Sequence, residues 1–141
     1  MMKLLPIEFK MSKKILIVDD DPKRIKFFQK QYQDEHLVVA CDSYKKAVKA
    51  LQLNSPFHII QLDYDLHYCN DDSYIEPVTT ETRFSTQTYS GADVAYYIIN
   101  FLSFDERPKH VIIHSWNDQG VIQLQRMFDA AKITNTYSWF K

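Results

Sequence analysis

Four carboxylates in this chain stand where they can do chemistry together. Asp19 and Asp20 end the run Ile15-Leu16-Ile17-Val18 and are followed by Asp21-Pro22, while Asp63 and Asp65 lie in Leu62-Asp63-Tyr64-Asp65-Leu66. Neighbouring carboxylates repel unless a proton or a cation sits between them. Hard cations such as Mg2+ take oxygen ligands, keep several waters, and so leave positions for a substrate phosphate. The set therefore predicts a Mg2+ site built from Asp19, Asp20 and Asp63. Asp65 reads either as a further ligand or as the first turn of a loop. Asp21 reads differently, because Pro22 follows it. Proline needs no amide hydrogen at the first helical position, so Asp21 is the expected N-cap.

Two more residues share that chemistry. Ser115 follows the apolar run Val111-Ile112-Ile113-His114, and a hydroxyl there can hydrogen-bond a phosphoryl oxygen. His114 reads equally as a site group or as a hydrogen-bonded structural histidine. Lys141, the last residue, is placed to pair with a bound phosphate, although a chain end is commonly frayed. His67 is a weaker candidate in the polar stretch after Asp63, and His36, His58 and His110 read as surface or strand-start positions.

The elements that must position these residues are legible from periodicity. Short apolar runs at 14–18, 37–41, 57–62, 111–114 and 136–140 read as strands buried in a parallel sheet. Apolar residues at helical spacing fill 22–33, the stripe Tyr44, Ala47, Val48 and Leu51, the stretch from Gly91 to Leu102, and the stretch from Val121 to Ala131. Asp42 or Ser43 is the expected cap of the second helix, and Asn117 or Asp118 of the last. Alternating strands and helices imply right-handed crossovers and a doubly wound α/β sheet. The carboxyl ends of its first and third strands meet at the switch point, where such sheets place their sites.

Two segments break the pattern. Residues 66–90 are polar and aperiodic, an insertion too long for an ordinary loop between a strand and a helix. Residues 1–13 form an extension with Leu4, Leu5, Ile7 and Phe9, apolar enough to cover some other surface. Residues 14–141 then read as one domain.

Composition removes several classes. Only two glycines, Gly91 and Gly120, are present, which excludes a glycine-rich phosphate loop. A net charge of -1 gives no support for a nucleic-acid footprint. No apolar run reaches the length of a membrane span, the first residues lack the apolar core of a secretory signal, and the two cysteines make no framework. A cytoplasmic location away from the membrane is the expectation.

The runs ending in Asp19-Asp20-Asp21-Pro22, Asp63 and Ser115 together resemble the receiver domain of two-component response regulators. The resemblance covers most of the chain and implies a five-stranded, flavodoxin-like parallel sheet of order 2-1-3-4-5. It implies that Asp19 and Asp20 bind Mg2+, that Asp63 is the phosphoacceptor, and that Ser115 is the hydroxyl after strand four. Lys141 matches the lysine after strand five, without the proline that usually follows it. The long loop after strand three and the absence of a last helix depart from the family. Leu62-Asp63-Tyr64-Asp65-Leu66 and His114-Ser115-Trp116-Asn117-Asp118-Gln119-Gly120 are further similar to motifs of a receiver-derived group proposed to process cyclic phosphates. That similarity makes His114 and Asn117 site residues and Asp65 a second carboxylate.

Three functions follow from the resemblance. The first is phosphorelay signalling, with Asp63 accepting a phosphoryl group from a histidine kinase or a small phosphodonor. The second is metal-dependent processing of a cyclic or terminal phosphate, with His114 as general acid or base and Asn117 orienting the substrate. The third is a degenerate receiver that binds a partner without phosphorylation. A homodimer is compatible with each.

Overall fold

The structure, a computed structural model, describes residues 13–34, 36–66, 74–75, 86–87 and 89–138. Its elements in chain order are β1 (Lys13–Val18), α1 (Pro22–Tyr32), β2 (His36–Cys41), α2 (Tyr44–Asn54) and β3 (Ile59–Asp63). The short strands β4 (Tyr74–Ile75) and β5 (Thr86–Gln87) come next, then α3 (Gly91–Phe101), a 3-10 turn (Phe104–Glu106), β6 (His110–His114), α4 (Asp118–Ala130) and β7 (Asn135–Tyr137). The main sheet runs β2-β1-β3-β6-β7, and every neighbouring pair is parallel. This is the expected 2-1-3-4-5 order, so the chain is a doubly wound, flavodoxin-like α/β domain, with four helices among the described residues.

Strand β1 is central for the reason its sequence gives. Ile15, Leu16, Ile17 and Val18 are all fully buried, as a strand covered on both faces must be. Alternation sends Leu16 and Val18 to one face, with Ile60, Leu62, Val111 and Ile113 against residues of α2, α3 and α4. Ile15 and Ile17 point to the other face, where Phe28 of α1 covers them. Three helices thus cover one face and α1 the other, and among the described residues no helix follows β7.

The helix starts are set by side-chain caps. Asp21 accepts from the Lys23 amide at 2.9 Å, so its expected role as cap of α1 holds. Ser43 rather than Asp42 caps α2, accepting from the Lys46 amide at 3.1 Å. Asn117 caps α4, whose helix begins at Asp118, three residues before the apolar stripe that marks it in the sequence. The stripe shows only the buried face, so a polar first turn escapes it. Strand β7 lies at Asn135–Tyr137, earlier than the apolar run at 136–140, because its register is set by pairing with Val111, Ile112 and Ile113.

Within the stretch read as an aperiodic loop, β4 and β5 form a two-stranded antiparallel ladder. Asp65 bridges to Ser90, and Tyr89 stacks on Tyr44 with ring centroids 4.2 Å apart. The loop's two ends therefore meet beside β3. The N-terminal extension up to residue 12, His67 and Lys141 lie outside the described residues.

Candidate functional site

Strands β1, β3 and β6 deliver Asp19, Asp63, His114 and Ser115 to one edge of the sheet. Asp63 is register-paired with His114, and Asp19 follows the last residue of β1. Alternation puts Asp19, Gln61, Asp63 and His114 on the α1 face. Asp19, Asp63, His114 and Ser115 are all buried. Carboxylate oxygens of Asp19, Asp20 and Asp63 lie within 4.8 Å of one another. Three hard oxygen donors at that separation, two of them desolvated, fit a divalent cation of the Mg2+ type.

The two buried carboxylates are in different electrostatic states. Burial pushes Asp19 up, but hydrogen bonds from His114 and Arg24, with the Asp21 amide, outweigh it and hold Asp19 below the usual carboxylate value. Asp63 is pushed up to about 8, by burial first and then by the charge of Asp19, with Arg24 opposing and Asp20 adding. Asp19 thus favours its anionic form, whereas Asp63, with no cation bound, favours its protonated form. Such a divergence separates the roles of paired acids.

Arg24, in the first turn of α1, is a site residue that the sequence reading passed over. Its Nε donates to Asp19 Oδ2 at 2.8 Å and its Nη2 to Asp19 Oδ1 at 3.0 Å, a fork on one carboxylate. The same Nη2 lies 3.4 Å from Asp63 Oδ2 and 3.8 Å from Asp20 Oδ1, and Nη1 lies 3.4 Å from Asp21 Oδ2. Burial lowers the Arg24 pKa, but the bond to Asp19 and the surrounding carboxylates raise it further, so the group is fixed as a cation. In the sequence it reads as one of several cations between the apolar positions of α1. Its nearness to three preceding carboxylates was the available signal.

Gln61 and Tyr32 were missed for a related reason. Gln61 is a polar residue between the apolar Ile60 and Leu62 of β3, and it is 2% exposed. The Tyr32 hydroxyl donates to Gln61 Oε1 at 3.0 Å, which leaves Gln61 Nε2 to donate to His114 Nδ1 at 3.2 Å. Nε2 of His114 then carries the proton and donates to Asp19 Oδ2 at 2.7 Å. The ring also packs on Phe28, with centroids 4.7 Å apart. Both ring nitrogens of His114 are engaged, and its contact with the acidic trio runs through Asp19. A polar residue inside an apolar strand run is the signal that points to such a chain, because buried amides need partners.

The Asn-x-x-Gly motif has a clear local cause. Asn117 Oδ1 accepts from the Gly120 amide at 2.9 Å, closing the first turn of α4. A Cβ on Gly120 would meet the Tyr64 ring at 2.4 Å, so only glycine lets that ring lie against the helix. Tyr64 then reaches Gln123 Oε1 through its hydroxyl at 2.9 Å. Asn117 Nδ2 points to Asp65 Oδ1 at 3.4 Å, and the Asp65 amide to Asp63 Oδ1, also at 3.4 Å. Asp65 thus stands beside the acidic trio rather than in it. Ser115 Oγ accepts from the Asn117 amide at 3.1 Å, and the Ser115 carbonyl accepts from the Tyr137 hydroxyl at 3.1 Å.

A parallel sheet of this order with an aspartate trio at its carboxyl edge defines a receiver-type domain of the response-regulator kind. Solved structures agree on the fold. The "BeF3 Activated DrrB Receiver Domain" is 21% identical, with 93% of this chain and 88% of that chain covered and a TM-score of 0.58. A Francisella response regulator 1452 receiver domain is 16% identical, with 90% and 83% covered and a TM-score of 0.57. The full response regulator DrrB, a Thermotoga maritima OmpR/PhoB homolog, is 21% identical with a TM-score of 0.55, and this match covers 92% of this chain but 46% of that one. No curated protein matches the chain. The family profile described as "Cyclic-phosphate processing Receiver domain" matches residues 14–130, and the chain belongs to that family. Among the described residues no helix is long and apolar enough to cross a membrane.

Proposed function

We propose that the chain is a phosphoacceptor receiver with Asp63 as the acceptor, working in phosphorelay-type signalling with a histidine kinase or a small phosphodonor. The observation that carries this reading is the placement of Asp63, a buried carboxylate at the end of β3 whose oxygen lies within 4.8 Å of those of Asp19 and Asp20. Asp19, Asp20 and Asp63 would hold Mg2+, which would neutralise charge on the phosphoryl oxygens. An Asp63 oxygen attacks the phosphorus of the donor, the new O–P bond forms as the bond to the donor's leaving group breaks, and the leaving group departs with its electron pair. Ser115, at the same edge, offers its hydroxyl to a phosphoryl oxygen, and Lys141 is a further candidate for that role. Intact mass after incubation with Mg2+ and a small phosphodonor tests the reading. A phosphoryl adduct in the wild type and none in Asp63→Asn is the expected result; no adduct in either overturns it.

The family match favours a second reading, the processing of a cyclic or terminal phosphate in the same pocket with His114, Asn117 and Asp65. The engagement of both His114 nitrogens by Gln61 and Asp19 weighs against His114 as a freely presented acid or base. Turnover of cyclic phosphates that disappears in His114→Ala would favour this reading over the first.

A further inference from the structure

The guanidinium of Arg24 and a divalent cation have claims on the same oxygens. Nη2 lies 3.0 Å from Asp19, 3.4 Å from Asp63 and 3.8 Å from Asp20, and these are the three carboxylates whose oxygens converge within 4.8 Å. A metal ligated by that trio has to displace Nη2 from among the oxygens. Among the described residues, Arg24 is the one cation paired with Asp63. Its side chain is 17% exposed and is carried on the first turn of α1, with Nη1 resting on the half-exposed Asp21. A displaced guanidinium therefore stays within one side-chain length of Asp63, at the open side of the trio. A planar fork of N–H donors is the group best matched to phosphoryl oxygens.

We infer that Arg24 has two successive roles in this site: resident counter-ion of the carboxylates, and then binding group for the phosphoryl oxygens on Asp63. In the metal-free chain it is the counter-ion of the Asp19 anion and lies against Asp63. When the metal takes those oxygens, the guanidinium turns outward and meets the equatorial oxygens of the phosphoryl group. The inference rests on the reading of the trio as a Mg2+ and phosphoryl site. It adds that this helix residue supplies the anion-binding cation from the α1 side of the edge.

The two roles predict effects of opposite sign, which a merely structural arginine does not produce. Calorimetric titration of the full chain with Mg2+ measures the first role, and titration with trifluoroberyllate at saturating Mg2+ measures the second. The emission of Trp116, which is 65% exposed beside Ser115, gives an independent readout. Arg24→Gln is expected to bind Mg2+ about tenfold tighter and trifluoroberyllate about tenfold weaker, each near 1.4 kcal/mol. Arg24→Lys, which keeps the charge and loses the fork, is expected to fall between wild type and Arg24→Gln in both titrations. It carries the test if the glutamine variant does not fold. Mg2+ affinity that is unchanged or lower in the variants overturns the inference while leaving the acceptor reading intact. Absence of Mg2+ binding in wild type and variants alike removes the metal site and both readings with it.

Discussion

At the carboxyl ends of β1, β3 and β6 the chain gathers Asp19, Asp20 and Asp63 around a single guanidinium, whereas the amino ends of the same strands gather cations around an open cleft. That cleft, about 1010 Å3, is lined by Lys13, Lys14, Arg107, Lys109 and Lys132, with Asp105 as its one carboxylate among the described residues. Lys13, Lys109 and Lys132 are exposed, and Arg107 lies over the Phe104 ring at 4.4 Å with Nη2 donating to the Ile99 carbonyl. Two of the acidic residues are buried, Asp19 at 0% and Asp63 at 2% exposure, and Asp20 lies against them half-buried. A net charge of -1 for the whole chain thus conceals two unlike ends. Charge count does not distinguish the ends as sites; burial and mutual contact do, because desolvated charges couple strongly and solvated ones are screened.

If this contrast is right, substitutions at the two ends differ sharply in cost. Asp19→Ala removes the carboxylate that takes the Arg24 fork and the partner of His114 Nε2, and is expected to cost about 3–5 kcal/mol of stability, as loss of one member of a buried pair does. Charge reversal by Lys109→Glu at the other end is expected to stay within about 0.5 kcal/mol. Chemical denaturation of the two variants side by side checks this, and equal losses would break the contrast.

The backbone behind the acidic end is as constrained as its side chains. A Cβ on Gly91 would meet the Asp63 carbonyl oxygen at 2.3 Å, where the Gly91 amide bonds the Tyr64 carbonyl at 2.6 Å. Gly91→Ala is expected to cost about 3 kcal/mol through this overpacking and to weaken Mg2+ binding along with it. A thermal melt and a metal titration of the same sample read both effects.

Protonation sharpens the comparison further. Asp63 has a folded-state pKa near 8, raised from 3.8, so between those values the folded chain holds a proton that the unfolded chain has released. Stability of the metal-free protein therefore falls as pH rises through that window. His58, at the basic end, acts oppositely just below its ordinary value, since burial and then the charges of Lys13 and Lys109 lower its pKa. Urea midpoints measured in chelator from pH 5 to pH 8 are expected to decline in the wild type. In Asp63→Asn they are expected to rise slightly or stay level; an unchanged decline would assign the slope to another group.

The smallest effect is expected near the basic end. Lys132 follows α4 with φ of 61°, a left-handed conformation that costs a side chain about 1 kcal/mol and glycine little. Lys132→Gly is expected to raise stability by about 0.5 kcal/mol and to leave Mg2+ affinity unchanged. A shift in metal affinity would couple two ends that the account treats as independent.

Much of this was legible in the sequence. The strands and the acidic edge follow from apolar runs that stop at aspartates, because a strand buried on both faces leaves little choice of residue; the strand order follows only from the resemblance to receiver domains. Asp21 was legible as a cap and Asn117 as one of two, whereas the close approach that Gly120 permits depends on the Tyr64 ring and was not. Arg24, Gln61 and Tyr32 were not. Their roles depend on the angle at which α1 crosses the α1 face of the sheet and on which strands become neighbours, and no short-range pattern encodes either. Gln61 within Ile59-Ile60-Gln61-Leu62 and Arg24 just after three aspartates were the visible anomalies. The boundary of β7 was missed because pairing with β6, rather than apolarity, decides it.

The most direct test of the central claim is to find where a phosphoryl group goes. The chain is incubated with Mg2+ and a small phosphodonor, reduced with borohydride so that any aspartyl phosphate becomes homoserine, and digested for peptide mass analysis. The account predicts homoserine at position 63 alone, dependent on Mg2+. Reduction at another aspartate, a phosphoryl group on His114, or labelling at Asp63 that persists in chelator would contradict it.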